Sequence, residues 1–353
     1  MRDISEVIQE AVLDFDSDRR KRWEQERKPY SVIFELTPKC NMNCIHCYLQ
    51  DSHLEEQLST EDIYALLDLL CDKGILFITF TGGEVFSRKD FLDIYMYAKK
   101  KGFFVEIFTN GSLINASIID VLAKYPPILV DISLYGACEE TYKKVTGLEG
   151  AFSKVVTNCK KLTDAGIRVA LKSPILTVTY DELPEMKALA QSLGVQFRPS
   201  FEIISTISGD EKTKGYELPM EVVLEYEFNE RKKRAQALVD TEDRFGNSDD
   251  LFRCKIGITG FVIDYNGNIC PCMKFRHRGQ KLTRENFDTI WESYGTYKRI
   301  KYPKGHKCLN CKAVDYCDVC PAERDFLEGD MYFRCERDCS YANQRYEFYS
   351  SLK

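Results

Sequence analysis

The stretch CNMNCIHC, residues 40–47, places three cysteines, Cys40, Cys44 and Cys47, close together in the chain. It follows an apolar segment, residues 31–36, that is predicted to form a β-strand. Three thiolates at this spacing can converge on one soft metal centre, but they supply only three ligands. A four-iron, four-sulfur cube needs four ligands, so one iron would stay open for another molecule. The stretch therefore predicts an incompletely ligated iron–sulfur site at the end of a strand.

Strands and helices alternate from this stretch up to about residue 205. Four helical stretches end at a glycine, and an apolar segment typical of a strand follows each glycine: Gly74, Gly102, Gly166 and Gly194. Glycine tolerates the left-handed conformation in which many helices end. With residues 31–36 and 128–134, the pattern predicts six strands in a parallel sheet. Periodicity alone allows either a partial barrel or an open, doubly wound sheet.

The loops after the first four predicted strands are rich in polar residues and glycine. They carry the three cysteines and the segments TGGE (81–84), TNG (109–111) and SLYG (133–136). Parallel sheets place their active sites at the carboxyl ends of the strands, which is where these loops lie. We therefore expect one site built from these four loops.

Size and charge limit the classes of function. The chain has 353 residues, 44% of them hydrophobic, which is enough for two domains or for a barrel with an appendage. The net charge of −6, with both signs interspersed, argues against a nucleic-acid partner. No apolar run is long enough for a signal peptide or a membrane span. We expect a cytoplasmic protein whose 15 cysteines stay reduced.

Composition divides the chain into four parts. Residues 1–30 are predicted to form an amphipathic helix, Ile4–Phe15, and a charged connector. Residues 31–205 are predicted to form the barrel, and residues 206–250 a polar, partly helical bridge. Residues 251–353 form a module with nine cysteines, which argues for metal in a reducing compartment. The basic run Lys274–Arg284 is interpreted as a solvated loop.

The cysteine spacing and the polar loops together resemble the radical S-adenosylmethionine (SAM) enzymes over most of the chain up to about residue 205. The resemblance implies an α/β fold, a partial (β/α)6 TIM-like barrel, with a four-iron cluster on Cys40, Cys44 and Cys47. SAM would chelate the open iron, and its one-electron cleavage would give a 5′-deoxyadenosyl radical. The positions that match SAM-binding positions of the family are Tyr48, Gly82, Gly83, Glu84, Asn110, Ser133, Lys172 and Ser173.

The cysteines after residue 250 resemble the SPASM extension of radical SAM enzymes, which holds two auxiliary four-iron clusters. The match begins with a hairpin at Phe261–Asp264 and Gly267. By position, the first auxiliary cluster would be bound by Cys254, Cys272 and Cys320. The second would be bound by Cys308, Cys311, Cys317 and Cys335. Together with the barrel cluster, this implies three [4Fe-4S] clusters.

Two features of this extension leave alternatives open. Only Asp318 and Val319 separate Cys317 from Cys320, where the family usually has three residues. No upstream cysteine completes the first auxiliary cluster. Either Cys270 or a non-cysteine group supplies the fourth ligand, or the site is open and could bind a substrate thiolate. As the last ligand of the second cluster, Cys335 fits the family better than Cys339.

Enzymes with this layout mostly modify peptides or proteins, so we expect maturation of a ribosomally made peptide by crosslinking or epimerisation. The resemblance implies a low-potential electron donor, flavodoxin or ferredoxin, and a leader-binding protein is a further possible partner. An anaerobic sulfatase-maturing enzyme is the alternative, although Met273 stands where those enzymes have an aspartate. A tetrapyrrole-modifying enzyme is a third alternative. A zinc or iron–sulfur binding module without catalysis is an alternative of another class, since C-x2-C pairs also suit zinc.

The sequence does not identify a catalytic acid or base. Several polar residues near the predicted strand ends are candidates for the substrate pocket, and one sequence does not rank them: Glu84, Asp131, Tyr135, Lys172 and Arg198.

Overall fold

Nine strands form one sheet in a computed structural model that describes residues 17–50, 57–210, 212–233 and 249–351. The first six strands are parallel and lie in chain order: β1 (Ser31–Glu35), β2 (Phe77–Thr81), β3 (Phe104–Thr109), β4 (Leu129–Ser133), β5 (Val169–Pro174) and β6 (Gln196–Ser200). A doubly wound sheet would reverse its strand order at a switch point, and these six strands do not. The prediction of a partial (β/α)6 barrel is confirmed.

A hairpin extends the sheet on the other side of β1. Strand β7 (Gly260–Ile263) runs parallel to β1, and β8 (Asn268–Cys270) pairs with it in the antiparallel sense. Strand β9 (Gln280–Lys281) completes the edge. The hairpin predicted at Phe261–Asp264 and Gly267 is therefore confirmed, and it occupies the edge of β1 that faces away from β2.

Helices follow the strands as the glycine pattern predicts. The four glycines at the helix ends have φ angles of 67° to 90°, in the left-handed region that favours glycine. A capping box between Ser59 and Asp62 starts the helix before β2. The helices up to β6 are α1 (Ser17–Gln25), α2 (Thr60–Asp72), α3 (Phe91–Lys100), α4 (Ala116–Lys124), α5 (Glu139–Thr146), α6 (Ala151–Asp164) and α7 (Leu183–Ser192). The predicted helix Ile4–Phe15 lies outside the described residues.

The two faces of the sheet differ in chemistry because side chains alternate along each strand. One face packs against the helices and is apolar; Phe80, for example, is fully buried and meets Phe91 of α3 edge-on. The opposite face, which we call the inner face, carries polar side chains such as Thr79 and Glu106, which stand side by side on β2 and β3. The apolar face supplies the core, so the inner face is left for function.

The chain divides into two units, Met1–Glu217 with Ile258–Ile290, and Leu218–Gly257 with Trp291–Lys353. Beyond β6 the helices are α8 (Met220–Lys233), α9 (Phe287–Tyr294), α10 (Pro321–Glu328) and α11 (Glu336–Ser350). In the second unit Phe228 of α8 stacks on Phe348 of α11 at 3.7 Å between ring centroids. The predicted domain limits stay predictions. No helix in the described part of the chain combines the length and the apolar composition that a membrane crossing needs.

Candidate functional site

The three cysteines of residues 40–47, which we call the cysteine loop, follow β1 and rest on the loop after β2. The amide of Gly83 donates to the carbonyl oxygen of Thr37 at 2.7 Å, and the amide of Glu84 donates to that of Lys39 at 2.9 Å. A Cβ added at Gly82 would stand 2.3 Å from the Thr37 oxygen, and one at Gly83 would stand 2.4 Å from the Lys39 oxygen. The two glycines therefore allow two backbones to touch, a role that the sequence analysis did not foresee.

Glu84 ties the loop after β2 to the loop after β3. Its side chain is 1% exposed, and its carboxylate accepts hydrogen bonds from the Phe86 amide at 3.1 Å and the Thr109 hydroxyl at 2.7 Å. A third bond comes from the Asn110 amide at 2.6 Å. Burial raises the pKa of Glu84, and these hydrogen bonds oppose the rise. Because its oxygens are occupied within the protein, Glu84 acts by holding Asn110 in place.

Asn110 links the loop after β3 directly to the cysteine loop. Its side-chain amide nitrogen, Nδ2, donates to the side-chain oxygen of Asn41 at 2.9 Å and lies 3.7 Å from the sulfur of Cys40. Its side-chain oxygen accepts from the amide of Ser112 at 2.9 Å, and Asn41 donates to the Ser112 hydroxyl at 2.9 Å. This network orients the cysteine loop, and neither Asn41 nor Ser112 was singled out from the sequence.

The thiols of the cysteine loop are difficult to ionise without a cation nearby. Burial raises the pKa of Cys40 to about 11 and also raises the pKa values of Cys44 and Cys47. The neighbouring cysteines Cys47 and Cys40 add to the rise in the pKa of Cys44. Thiolates in this setting need a cation beside them, and iron is one that thiolates bind well. The donor set therefore fits a cluster held by three cysteines.

Tyr48, predicted to lie near the nucleotide, is part of a buried ion-pair network. Its hydroxyl donates to the carboxylate of Glu35 at 2.6 Å. Arg276 donates to both oxygens of the same carboxylate at 2.6 and 2.8 Å, and Glu35 is fully buried. Burial disfavours the charged guanidinium, but Glu35 outweighs it and raises the pKa of Arg276.

The basic run from Lys274 onward is thus not entirely a solvated loop, because the side chain of Arg276 is only 16% exposed. It is buried because Glu35 ends an otherwise apolar strand and needs a partner. That lone carboxylate is the sequence signal that could have pointed to an ion pair.

The inner face carries charged side chains on four adjacent strands. Arg198 of β6 donates to Asp131 of β4 at 2.6 Å, and Lys172 of β5 stands 4.0 Å from the same carboxylate. Burial lowers the pKa of Lys172 to about 8, although Asp131 and Glu106 oppose the shift. Within the described residues, neither the second oxygen of Asp131 nor the Nε of Arg198 has a hydrogen-bond partner. The inner face is therefore equipped to bind a polar molecule.

The remaining predicted nucleotide-binding residues separate into two groups. Ser133 lies beside Lys172 in the parallel register of β4 and β5 and belongs to the inner face. Ser173 points to the opposite face, is fully buried, and donates to the carbonyl oxygen of Pro174 at 3.3 Å. The structure therefore brings Ser133 and Lys172 together and separates Ser173 from them.

The second unit contains a cavity of about 440 Å³ that we call the cysteine cavity. Six free cysteines line it: Cys254, Cys308, Cys311, Cys317, Cys320 and Cys339. Cys335 instead lines a smaller adjoining cavity together with Cys308, Cys317 and Cys339. Cys339 therefore lines both cavities. Cys335, which fits the family match better as the last ligand, does not line the larger cavity.

Cys272 and Cys270 lie in the first unit, at the end of the hairpin. Cys272 is partly exposed, whereas Cys270 is fully buried with its sulfur 3.9 Å from the Asn268 oxygen and 3.8 Å from the Arg276 oxygen. The predicted set of Cys254, Cys272 and Cys320 stays a prediction. Among residues 17–50, 57–210, 212–233 and 249–351, no group of three or more His, Cys, Asp or Glu has the geometry to hold one metal ion.

Comparison with known proteins gives two family matches. Residues 34–190 match the Radical SAM superfamily, and residues 254–321 match SPASM, an iron–sulfur cluster-binding domain.

Relatives and a solved structure cover nearly the whole chain. An AdoMet-dependent heme synthase of Methanosarcina barkeri is 25% identical over 89% of this chain and 97% of its own length. The subtilosin biosynthesis protein AlbA of Bacillus subtilis is 27% identical over 89% of this chain and 71% of its own length. Among solved structures, Streptococcus suis SuiB bound to its precursor peptide SuiA has a TM-score of 0.69 at 17% identity, covering 91% of this chain and 80% of SuiB.

Proposed function

This chain is a radical SAM enzyme with a C-terminal SPASM domain, and from that premise we propose that it modifies a ribosomally made peptide after translation. The observation that carries the proposal is the cysteine loop, whose three cysteines follow β1 and whose backbone is hydrogen-bonded to the loop after β2 and, through Asn41, to the loop after β3. The radical SAM domain implies one [4Fe-4S] cluster and SAM. The SPASM domain implies auxiliary iron–sulfur clusters.

We assign the residues of the barrel as follows. Cys40, Cys44 and Cys47 would hold the cluster that SAM completes. When bound, the reduced cluster and SAM together supply a one-electron cleavage whose radical product removes a hydrogen atom from the substrate. Asn110 holds the cysteine loop next to the end of β3, because its side-chain amide nitrogen contacts both Asn41 and Cys40.

Lys172 and Ser133 offer a cation and a hydroxyl on the inner face, where the carboxylate and ribose of SAM need such partners. Four residues position the site through contacts within the protein: Gly82, Gly83, Glu84 and Tyr48. Their contacts are to the cysteine loop, to Asn110 and to Glu35.

For the auxiliary clusters we propose two cubes, which with the barrel cluster gives three. Cys308, Cys311 and Cys317 would bind the second auxiliary cube with Cys339 as the fourth ligand. Cys339 is preferred over Cys335 because it lines the cysteine cavity with the other three. For the first auxiliary cube we propose an open position that a substrate thiolate could take, since the Cys270 thiol already contacts the carbonyl oxygens of Asn268 at 3.9 Å and Arg276 at 3.8 Å.

Two observations support a peptide substrate. AlbA, which resembles this chain over most of its length, is a biosynthesis protein for a bacteriocin, and SuiB was solved with a precursor peptide bound. The inner face presents both signs of charge and two unmatched hydrogen-bonding atoms, which suits a substrate rich in amide groups. A flavodoxin or ferredoxin as electron donor, and a separate leader-binding protein, complete the proposal.

A tetrapyrrole substrate is the second candidate, because the heme synthase resembles this chain over 97% of its own length. A sulfatase-maturing activity is less well supported, since Met273 occupies the position where that group carries an aspartate. A binding module without catalysis does not fit a radical SAM enzyme.

The test uses protein purified without oxygen and reduced in the presence of SAM. Three cubes predict about twelve iron atoms per chain. Deoxyadenosine should form, and coexpression with a cysteine-containing peptide from a neighbouring reading frame should change the mass of that peptide by the loss of two hydrogens. Epimerisation would leave the mass of the peptide unchanged in ordinary water, whereas in deuterated water the epimerised residue would take up deuterium. Loss of a tetrapyrrole's carboxyl groups with no change in the peptide would favour the second candidate.

A further inference from the structure

Cations surround the mouth of the cysteine cavity in a chain whose net charge is −6. Arg253, Lys307, Lys312 and Arg334 line the cavity together with the cysteines. The last three are exposed, and we call them the cationic rim. Within the described residues, none of these three makes an ion pair with a carboxylate. The lining of the cysteine cavity therefore carries more cations than carboxylates, in a protein of opposite net charge.

The carboxylates that line the two cavities are each close to an arginine. Asp318 also lines the cysteine cavity, but it is paired with Arg345 of α11. Asp338 lines the smaller adjoining cavity and lies 3.9 Å from Arg337. Arg253 is held by the carbonyl oxygen of Val314 at 2.6 Å. Among the charged residues that line the cysteine cavity, those of the rim are the exposed ones without an ion-pair partner within the described residues.

Exposed apolar side chains accompany the rim. Among the described residues, only three large hydrophobic side chains are exposed, and two of them, Leu309 and Phe333, lie in this part of the second unit. Leu309 is in the turn that carries Lys307 and Cys308, and Phe333 precedes Arg334. Exposed apolar side chains next to cations suit a weak, transient protein contact, in which charge steers the encounter.

The sulfur atoms behind the rim favour one kind of partner. Six free cysteines lining one cavity fit an iron–sulfur cluster, which needs soft thiolate ligands and no other group from the protein. Cations at the mouth of such a cavity attract a protein with an acidic surface around its own redox group. A nucleic acid is disfavoured by the overall negative charge of the chain.

On the basis of the proposed function, we propose that the cationic rim, with Leu309 and Phe333, is the docking surface for a small acidic electron carrier with a flavin or iron–sulfur centre. The partner is recognised by the three unpaired cations and the two apolar side chains. The surface lies entirely within the second unit, so docking requires no residue of the inner face.

The experiment measures binding rather than turnover. The reconstituted holoenzyme is titrated without oxygen with a purified flavodoxin, and the dissociation constant is determined at low and at high salt. The triple variant K307Q/K312Q/R334Q should bind about tenfold more weakly, because three attractive charges are lost. Binding by the unmodified enzyme should weaken as salt increases, because salt screens exposed charges.

The matched control is K144Q/K154Q/R168Q, which removes three exposed cations of the first unit that make no ion pair within the described residues. It should change the dissociation constant by no more than about twofold. Equal weakening by both triple variants, or binding insensitive to salt, would overturn the proposal. A change in the cluster potential of the rim variant with an unchanged dissociation constant would do so too, since the cations would then serve only the cluster.

A second measurement covers the case in which the rim variant loses iron. Carbodiimide joins lysine amines to carboxylates in contact, so cross-links from flavodoxin to Lys307 and Lys312 of the unmodified holoenzyme are expected. Cross-links confined to lysines of the first unit would contradict the proposal. Neither measurement depends on a peptide substrate, so failure of the docking surface can be told apart from failure of the proposed function, which would show as absence of deoxyadenosine.

Discussion

The cysteine loop of the first unit and the cysteine cavity of the second both consist of cysteines, but the surroundings of these cysteines differ. The cysteine loop supplies three thiols from one short stretch, and bonds from Gly83, Glu84 and Asn110 tie that stretch to neighbouring strands. The cysteine cavity collects its thiols from residues 254–339, and four cations line it. The comparison suggests that the first site is made rigid by the sheet, while the second is assembled from turns and remains open to a partner.

Removing the thiols of the cysteine loop tests the first half of this comparison most severely. The variant C40A/C44A/C47A should lose deoxyadenosine formation completely and about four iron atoms per chain, because it lacks all three thiols assigned to the barrel cluster. Chromatography of the reduced, oxygen-free reaction measures the first, and iron analysis the second. The control C71A removes an exposed thiol outside both sites and should change neither. Deoxyadenosine formation by the triple variant would contradict the assignment.

Breaking the ion pair behind the cysteine loop should have the next largest effect. The change R276M leaves Glu35 buried without its cation and should lower the free energy of unfolding by about 3–5 kcal/mol. Denaturant unfolding of the protein measures this loss.

The control for this change is R284M, which removes an arginine paired with Asp72 where both side chains are more than half exposed. Its cost in the free energy of unfolding should be small compared with that of R276M, because solvent screens an exposed ion pair. Similar losses in the free energy of unfolding for the two variants would show that the buried ion pair contributes no more to stability than an exposed one.

A smaller effect is expected from filling the space between the two loops. The change G83A adds a methyl group within 2.4 to 2.6 Å of the carbonyl oxygens of Lys39 and Pro38. These backbones must separate, so stability should fall by about 1–3 kcal/mol and the barrel cluster should absorb less strongly. The control G215A adds a methyl group that meets no atom within 4 Å and should cost less than about 0.5 kcal/mol. Unchanged absorption in G83A would mean that the loop contact does not hold the cysteines.

The finest test concerns the fourth ligand in the cysteine cavity. The change C339A should reduce the iron content by about four atoms per chain, whereas C335A should leave the iron content unchanged. The reason is that Cys339, unlike Cys335, lines the cysteine cavity together with Cys308, Cys311 and Cys317. Iron analysis of the two variants measures the difference. The reverse result would restore Cys335, the ligand that spacing alone favours.

Much of the barrel could be predicted because its signals are local. Glycines at the ends of helices and alternating apolar segments identify six strands, and the spacing of residues 40–47 identifies a three-thiol site. The chain order of the strands could not be predicted, because a parallel sheet with the same periodicity can be ordered in more than one way. The roles of Gly82 and Gly83 also escaped prediction, since their neighbours, Thr37 to Lys39, are about 45 residues away in the chain.

Residue type and spacing were sufficient to establish the three-cysteine motif, the alternating architecture and the cysteine-rich module. Contacts between distant segments decided the rest: the ion pair of Glu35 with Arg276, the commitment of Glu84 to Asn110, the separation of Ser173 from Lys172, and the place of Cys339 in the cysteine cavity. The physical reason is that periodicity and spacing are properties of neighbouring residues. The burial and pairing of a charge or a thiol depend on which remote segment the fold brings against it.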